Sequence, residues 1–427
     1  MALIDYRADA LRCTRCAYCK WIPFDLMKSW RFSKGCPSID YNNFHSYSAG
    51  GRLVTALSLL DGRIDVTDRV VDSVFKCQLC GNCDVTCKLC RFDMEPLAAL
   101  RELRFKMVED GHTLPQHKPV MEGFRKLNNM LNKAKAKRGD WADGLKLKDL
   151  SKDKAEIVFH AGCRYSYDGD LNQVARSSVS ILQKAGVDFG IMGKAENCCG
   201  GRAYNMGYAK DFAAGAANNI KAWAKAGVKT VVTPCADCYY TFKRLFPEAG
   251  SKIKVLHMVE FVDQLVKEGK IKFKKSIPMR VTYHDPCYLG RQGEPYVPWK
   301  GKEKKIFGQV VVYDPPRPRY NGAYGVYEPP RDVLRAIPGL ELVEMERNRE
   351  AAWCCGAGGG VKEAFPEFSE WTAKERIEEA ESTGADAIVS ACPWCERNFI
   401  DAMKGSDGKM KVMDVIELVH QAIESRV

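Results

Sequence analysis

Cys163, the pair Cys198-Cys199 followed by Gly200-Gly201, and Cys235-Ala236-Asp237-Cys238 make one five-cysteine pattern, and the chain carries it twice. The second copy is Cys287, then Cys354-Cys355-Gly356-Ala357-Gly358, then Cys392-Pro393-Trp394-Cys395. The flanks repeat as well. Ile157-Val158-Phe159-His160 leads to Cys163, and Val281-Thr282-Tyr283-His284 leads to Cys287. Val231-Val232-Thr233-Pro234 precedes Cys235, and Ile388-Val389-Ser390-Ala391 precedes Cys392. Agreement at this many points marks an internal duplication. Cys198 and Cys354 are 156 residues apart and Cys235 and Cys392 are 157 apart, but Cys163 and Cys287 only 124. The second copy therefore carries an insertion of about 32 residues. It is expected within 292–330, which is rich in Pro, Tyr, Lys and Gly and reads as loop.

Around these cysteines the chain alternates short β-branched runs with helix-like stretches. Ile157–Phe159, Val187–Ile191, Val228–Thr233 and Lys254–Leu256 read as strands; Leu171–Lys184, Tyr208–Ala226 and Val259–Lys267 read as helices. Arg280–Tyr283, Leu340–Met345, Ala387–Val389 and Lys411–Met413 repeat the strands. Such alternation implies a parallel sheet with crossover helices. The cysteines then fall just past strand ends, at the carboxyl edge where open α/β sheets place their sites. Gly356-Ala357-Gly358-Gly359-Gly360 is not read as a dinucleotide loop, because it follows a cysteine pair and Val361 stands where the third glycine belongs. Small residues there let backbone amides approach a cluster.

The first 110 residues hold nine more cysteines. Cys13-x-x-Cys16-x-x-Cys19 precedes a distant Cys36-Pro37, and Cys77-x-x-Cys80-x-x-Cys83-x-x-x-Cys87 follows. Three thiolates two residues apart wrap one face of a cuboidal cluster, and in two-cluster ferredoxins the remote cysteine serves the other cluster. Cys13, Cys16, Cys19 and Cys87 are thus expected to hold one [4Fe–4S] cubane, and Cys77, Cys80, Cys83 and Cys36 a second. Lys88 replaces the usual proline after Cys87, and Cys90 is either a spare thiol or the remote ligand in place of Cys87. Zinc, which takes two C-x-x-C pairs, fits a triplet poorly. Helices are expected over 50–60, 66–75 and 95–110.

The fold class expected is α+β multidomain. A helical ferredoxin-like domain spans 1–110, a basic helical connector 111–156, and two duplicated Rossmann-like lobes 157–277 and 278–427. The chain has 427 residues, 19 cysteines and a formal charge of +11. An odd number of cysteines clustered at C-x-x spacing favours metal binding in a reducing compartment over disulfides. No apolar run reaches the ~18–20 residues of a membrane span, and no leader is visible, so the chain reads as cytoplasmic, or membrane-associated through partners. Residues 118–154 carry eleven Lys or Arg against five Asp or Glu. That is either a solvated linker or a docking surface for an acidic electron-transfer partner; no nucleic-acid motif accompanies it.

The spaced single cysteine, C-C-G and C-x-x-C resemble the cysteine-rich CCG domain of heterodisulfide reductase. Two ferredoxin motifs followed by two such domains resemble its D-type subunit, in which the C and B subunits are fused. The resemblance covers nearly the whole chain. The layout is also similar to the iron–sulfur subunits of anaerobic glycerol-3-phosphate dehydrogenase and glycolate oxidase, and to the electron-supply subunit of class II benzoyl-CoA reductase. What this implies is a non-cubane [4Fe–4S] cluster on Cys163, Cys198, Cys199, Cys235 and Cys238 and another on Cys287, Cys354, Cys355, Cys392 and Cys395. These ten would form a catalytic centre in which a disulfide is cleaved by two electrons delivered through the ferredoxin domain. The implied partners are a flavin-containing heterodisulfide reductase A-like subunit or other redox subunits, with ferredoxin as a further one, in a complex of which one form bifurcates electrons at a flavin. The alternative is an electron-transfer subunit without its own substrate, linking a flavoprotein to another redox enzyme, such as benzoyl-CoA reductase, or to a quinone pool. His160 and His284 either supply protons to a product thiolate or pack as strand-end rings. Arg202 and Arg291 either bond clusters or anionic groups or lie at the surface.

Overall fold

The computed structural model describes residues 2–90, 94–308, 310–404 and 410–423, with the side chain of Cys90 outside that set. Its N-terminal part is helical: Arg7–Arg12, Pro37–Asn42, Ala49–Leu60, Asp68–Phe75, Asn82–Cys90 and Pro96–Glu109. Local chemistry sets the starts. Ser48 and Thr67 accept the amides of Gly51 and Val70 as N-caps, and Pro37 and Pro96 open their helices where a missing N–H costs nothing. Leu53, Leu57, Val74, Phe75, Leu103 and Met107 face inward between these helices.

Each duplicated lobe is a parallel sheet. The first contains β1 (Lys148–Asp149), β2 (Ile157–Phe159), β3 (Gly190–Ile191), β4 (Thr230–Thr233) and β5 (Lys254–His257), in the order β1-β3-β2-β4-β5. The second contains β6 (Met279–Tyr283), β9 (Leu340–Val343), β10 (Ala387–Ser390) and β11 (Lys411–Asp414), in the order β11-β10-β6-β9. Between β6 and β9 lies an antiparallel hairpin, β7 (Lys302–Ile306) and β8 (Val310–Asp314). Aligned on the cysteines, β3-β2-β4-β5 and β9-β6-β10-β11 have the same order, which is the duplication seen in three dimensions. The central strands β4 and β10 are buried along nearly their whole length. That is why they read as continuous apolar runs rather than alternating ones.

Two expectations need correcting. The insertion is not all loop: Lys302-Glu303-Lys304-Lys305-Ile306 pairs antiparallel with Val310-Val311-Val312-Tyr313-Asp314, and a β-branched run opposite a lysine-rich one forms a hairpin that composition alone hid. Residues 111–156 are not only a helical linker. They supply the edge strand β1, and Val120, Phe124, Trp141 and Leu150 enter the core of the first lobe. The lysines of this segment remain mostly on the surface.

The three parts meet at Arg104. This buried guanidinium donates to the carbonyls of Val74, Phe75 and Cys77 in the helical part, to Asn205 in the first lobe and to Gly359 in the second, at 2.7–3.3 Å. Removing it strands up to five buried carbonyls. We expect Arg104→Ala to destabilise the protein by about 3 kcal/mol or more and to expose the junctions near residues 77 and 205 to proteolysis. Thermal denaturation and limited proteolysis of the purified protein check this; an unchanged midpoint and cleavage pattern would contradict it.

Candidate functional site

The cysteines sit where the strands end, and helix starts aim them. Cys36, Cys235 and Cys392 are each the N-cap of a helix, Pro37–Asn42, Ala236–Tyr240 and Pro393–Ala402. Burial pushes the Cys36 thiol up to about 12 and raises that of Cys235, whereas hydrogen bonds with Cys235 and Cys395 bring the Cys392 thiol down against burial. The glycine of each C-C-G has a different task. Gly200 and Gly356 adopt φ of 80° and 93°, and each donates its N–H to the sulfur two residues back, at 3.4 Å to Cys198 and 3.3 Å to Cys354. This reversal lets the side chains of two adjacent cysteines converge: Cys198 meets Cys199 and Cys354 meets Cys355 in sulfur hydrogen-bonding contact.

Contacts of that kind continue. Cys163 touches Cys198, Cys199 touches Cys238, and Cys238 touches Cys235. Cys235 then reaches Cys392 of the second lobe, Cys392 touches Cys395, Cys395 touches Cys355, and Cys354 touches Cys80 of the helical part. Ten sulfurs thus form one line through three parts of the chain. Near its helical end, Cys36 neighbours Cys77 and Cys80, Cys83 neighbours Cys77, Cys80 and Cys19, and Cys19 touches Cys87. Cys13 neighbours Cys19 and Cys16. The structure so brings Cys13, Cys16, Cys19 and Cys87 to one place and Cys36, Cys77, Cys80 and Cys83 to an adjoining one. Cys287 departs from symmetry. Its counterpart Cys163 touches Cys198, whereas the corresponding contact to Cys354 is made by Cys80. Cys287 instead lines a cavity between the lobes with Cys355, Cys392, Cys395, Arg202 and Asp237.

All eighteen described cysteines are free thiols, and only Cys16 is exposed. The donor set is therefore soft and uniform, and backbone amides point at several sulfurs: those of Gly200 and Gly356, and those of Ala49 and Gly50 toward Cys19. Thiolates with amide donors around them fit iron–sulfur clusters. His284 lies with Cys355 and Cys395 so that one ligand atom from each falls within 4.8 Å of the others.

The histidines are packed rings. His160 stands edge-on to Phe242 at 4.8 Å and His284 edge-on to Phe399 at 5.0 Å; burial lowers the pKa of both, so they are neutral near pH 7. Neither arginine singled out in the sequence lies at the surface. Arg202 pairs with Glu363, donates to the Ala357 carbonyl and stacks 3.9 Å over Trp394, clamping lobe to lobe. Arg291 donates to the carbonyls of Glu350 and Ala352 and reaches Asn82 of the helical part. Two partners of the sulfur line escaped the sequence reading. Arg138, which stood among the basic residues of the connector, is buried, donates to Cys163 Sγ at 3.1 Å and pairs with Glu196 at 2.6 Å. Through Cys198 first, and then Arg138, the Cys163 thiol is brought down to about 6 against the opposing effect of burial. Glu196, two residues before Cys198, also receives the amides of Ala161 and Gly162.

Comparison with known proteins matches these features. Residues 157–243 and 317–400 each match the cysteine-rich CCG domain, and residues 9–89 the 4Fe-4S dicluster domain. The chain is 32% identical to the D-type subunit of dihydromethanophenazine:CoB–CoM heterodisulfide reductase from Methanosarcina mazei, over 96% of this chain and 93% of the relative. It is 29% identical to the probable iron-sulfur-binding oxidoreductase FadF of Bacillus subtilis, over 94% of this chain and 53% of that protein. It is 28% identical to the EtfAB:quinone oxidoreductase of Syntrophomonas wolfei, over 81% of this chain and 46% of that protein. A solved structure of a hypothetical protein from Helicobacter pylori shares the fold, with a TM-score of 0.51 and 10% identity over 89% of this chain and 68% of that one.

The two C-C-G glycines are not equally replaceable. A Cβ on Gly356 would lie 2.3 Å from the Ser369 backbone oxygen, whereas one on Gly200 would meet the Phe212 ring at 3.0 Å. Backbone cannot give as a ring edge can. Gly356→Ala is expected to cost about 3 kcal/mol and Gly200→Ala about 1–2 kcal/mol, with iron retention falling in the same order; thermal melts and iron assays of the two variants would expose a reversed order.

Proposed function

Since the chain belongs to the D-type heterodisulfide reductase family of iron–sulfur proteins, we propose that it works as the iron–sulfur component of an oxidoreductase complex and reduces a disulfide between its two lobes. Cys13, Cys16, Cys19 and Cys87 would hold one cubane [4Fe–4S] cluster and Cys36, Cys77, Cys80 and Cys83 the other. The five cysteines of each lobe would hold a non-cubane [4Fe–4S] cluster. When bound, such clusters supply one-electron carriers in series. A disulfide takes up two electrons and two protons, its S–S bond breaks, and two thiols leave.

The observation that carries this reading is the unbroken sulfur line through Cys80–Cys354 and Cys235–Cys392. It gives the helical part contact with the second lobe and the second lobe contact with the first. This chain's residues hold that line: Arg202 and Trp394 fix the lobes, and Tyr165 donates its hydroxyl across to Glu396 and Asp414. The partners under this reading are a flavin-containing protein or other redox proteins, which deliver electrons to the Cys16 end.

One observation favours the other reading, an electron carrier with no substrate of its own. The cavity between the lobes is only about 20 Å³, enough for roughly one water. A disulfide needs the lobes to part, or the site is a conduit between a flavoprotein and another redox enzyme or a quinone pool.

Anaerobic analysis is expected to give about sixteen irons per chain, from four clusters of four; eight or fewer, or zinc in the lobes, would remove the second pair of clusters. Cys355→Ser, which puts a harder ligand on the line, should lose the second-lobe cluster by EPR and retain both cubanes. Turnover of candidate disulfides with an artificial donor should then fall below about 1% of the parent's. Full turnover without that cluster would rule out the paired centre, and no turnover of any disulfide by the fully loaded parent would favour the carrier.

A further inference from the structure

The hairpin of β7 and β8 ends in a small apolar tip that nothing covers. Phe307 is 95% exposed, Val310 52%, Ile306 43% and Val312 39%. Register explains the grouping: Lys304 pairs with Val312 and Ile306 with Val310, so these side chains share the outer face. On the inner face Tyr313 is buried, held by Arg12 at 2.7 Å and stacked on Arg317 at 3.7 Å, while Arg12 also donates to the Val311 carbonyl at 2.6 Å. Arg317 pairs with Asp9 at 3.0 Å. The shank is thus fixed to the first helix, and the tip projects from it.

The tip residue itself is unusual. Phe307 adopts φ of 50°, a left-handed turn conformation that suits Gly or Asn and is rare for an aromatic. Its ring packs on nothing, so folding supplies no reason for it. Lys304 and Lys305 lie next to the tip, and Lys302 and Lys300 follow toward the base of the hairpin. Lys304 pairs with Asp314; Lys300, Lys302 and Lys305 have no ion-pair partner among the described residues.

We propose that this hairpin docks the protein on an anionic lipid surface, with Phe307, Ile306 and Val310 entering the headgroup boundary and the lysines facing lipid phosphates. Four side chains on a two-stranded tip are far short of the ~800 Å² per partner of an ordinary protein interface. A fluid headgroup layer accepts so small an apolar wedge, and cations beside it strengthen the hold. No helix among the described residues is long and apolar enough to cross a membrane, so contact of this kind is peripheral. The proposal stands whether or not the lobes reduce a disulfide.

Flotation of the iron-loaded full chain with vesicles tests it. The parent should float at low salt with equimolar phosphatidylcholine and phosphatidylglycerol, and not with phosphatidylcholine alone. Phe307→Asp should weaken binding about tenfold or more, and Lys302→Ser with Lys305→Ser should weaken it and flatten its salt dependence. Iron content and melting point should stay at parental values in both. The proposal is overturned if the parent does not float with anionic vesicles. It is equally overturned if Phe307→Asp floats as the parent does, whether the binding is then diffuse attraction by net charge or the tip instead holds a protein that co-purifies with the parent only.

Discussion

Arg104 satisfies carbonyls that no ladder can reach. Cluster-binding segments are irregular, since cysteines two or three residues apart must turn inward together, and irregular backbone leaves carbonyls unpaired. A guanidinium, with five donors in one plane, answers several of them at once. Arg104 does so for three parts of the chain, and its pKa falls to about 10 because burial opposes the charge. The same device recurs: Arg52 serves the carbonyls of Ser73, Tyr47 and Lys76, and Arg347 joins Glu379 and Glu375 to the Lys34 carbonyl. Arg104 and Arg347 thus tie the helical part to the lobes by hydrogen bonds from buried guanidinium groups, and a continuous apolar core is confined mainly to the lobes.

Duplication preserved the sulfur scaffold and let its surroundings diverge. The strand order, the C-C-G turn and the amide bond to the first sulfur of each pair are the same in both lobes. Residues beside them are not. Asp237 within one C-x-x-C answers to Trp394 in the other, and His257 at the end of β5 answers to Asp414 at the end of β11. Trp394 lies under Arg202 and Arg164, so the second lobe is gripped by the cations of the first. Asp237 opens onto the cavity with no hydrogen-bond partner on Oδ1. The two faces of the site are chemically unlike, although the thiols are arranged alike.

The strands and the long helices were legible because both lobes spell them with β-branched runs and amphipathic stretches of ordinary length, and the repeat checks each reading against its copy. The cysteine groups were legible for a similar reason, as spacing is local. What escaped were relations between distant segments. Arg138 looked like one more cation of a basic linker until the fold buried it against Glu196 and Cys163. Strand β1 is two residues long and exists only because β3 offers an edge. The Cys80–Cys354 contact joins residues from two domains, and no periodicity encodes that. The hairpin was concealed by its lysines, which suit an exposed two-stranded ribbon as well as a loop.

Asymmetry gives the sulfur line a sense of order. Cys80 meets Cys354, so the helical part adjoins the second lobe; the first lobe is reached only through Cys235–Cys392. At the far end Cys163 is closed in by Arg138 and Glu196, both nearly inaccessible. At the near end Cys16 is the one exposed thiol among those described. Among the described cysteines Cys16 is therefore the one that another molecule can approach directly. The cavity lies between the two lobes, on the far side of the second lobe's sulfurs from the helical part, with Cys287, Cys355, Cys392 and Cys395 of the second lobe on one wall and Arg202 and Asp237 of the first on the other.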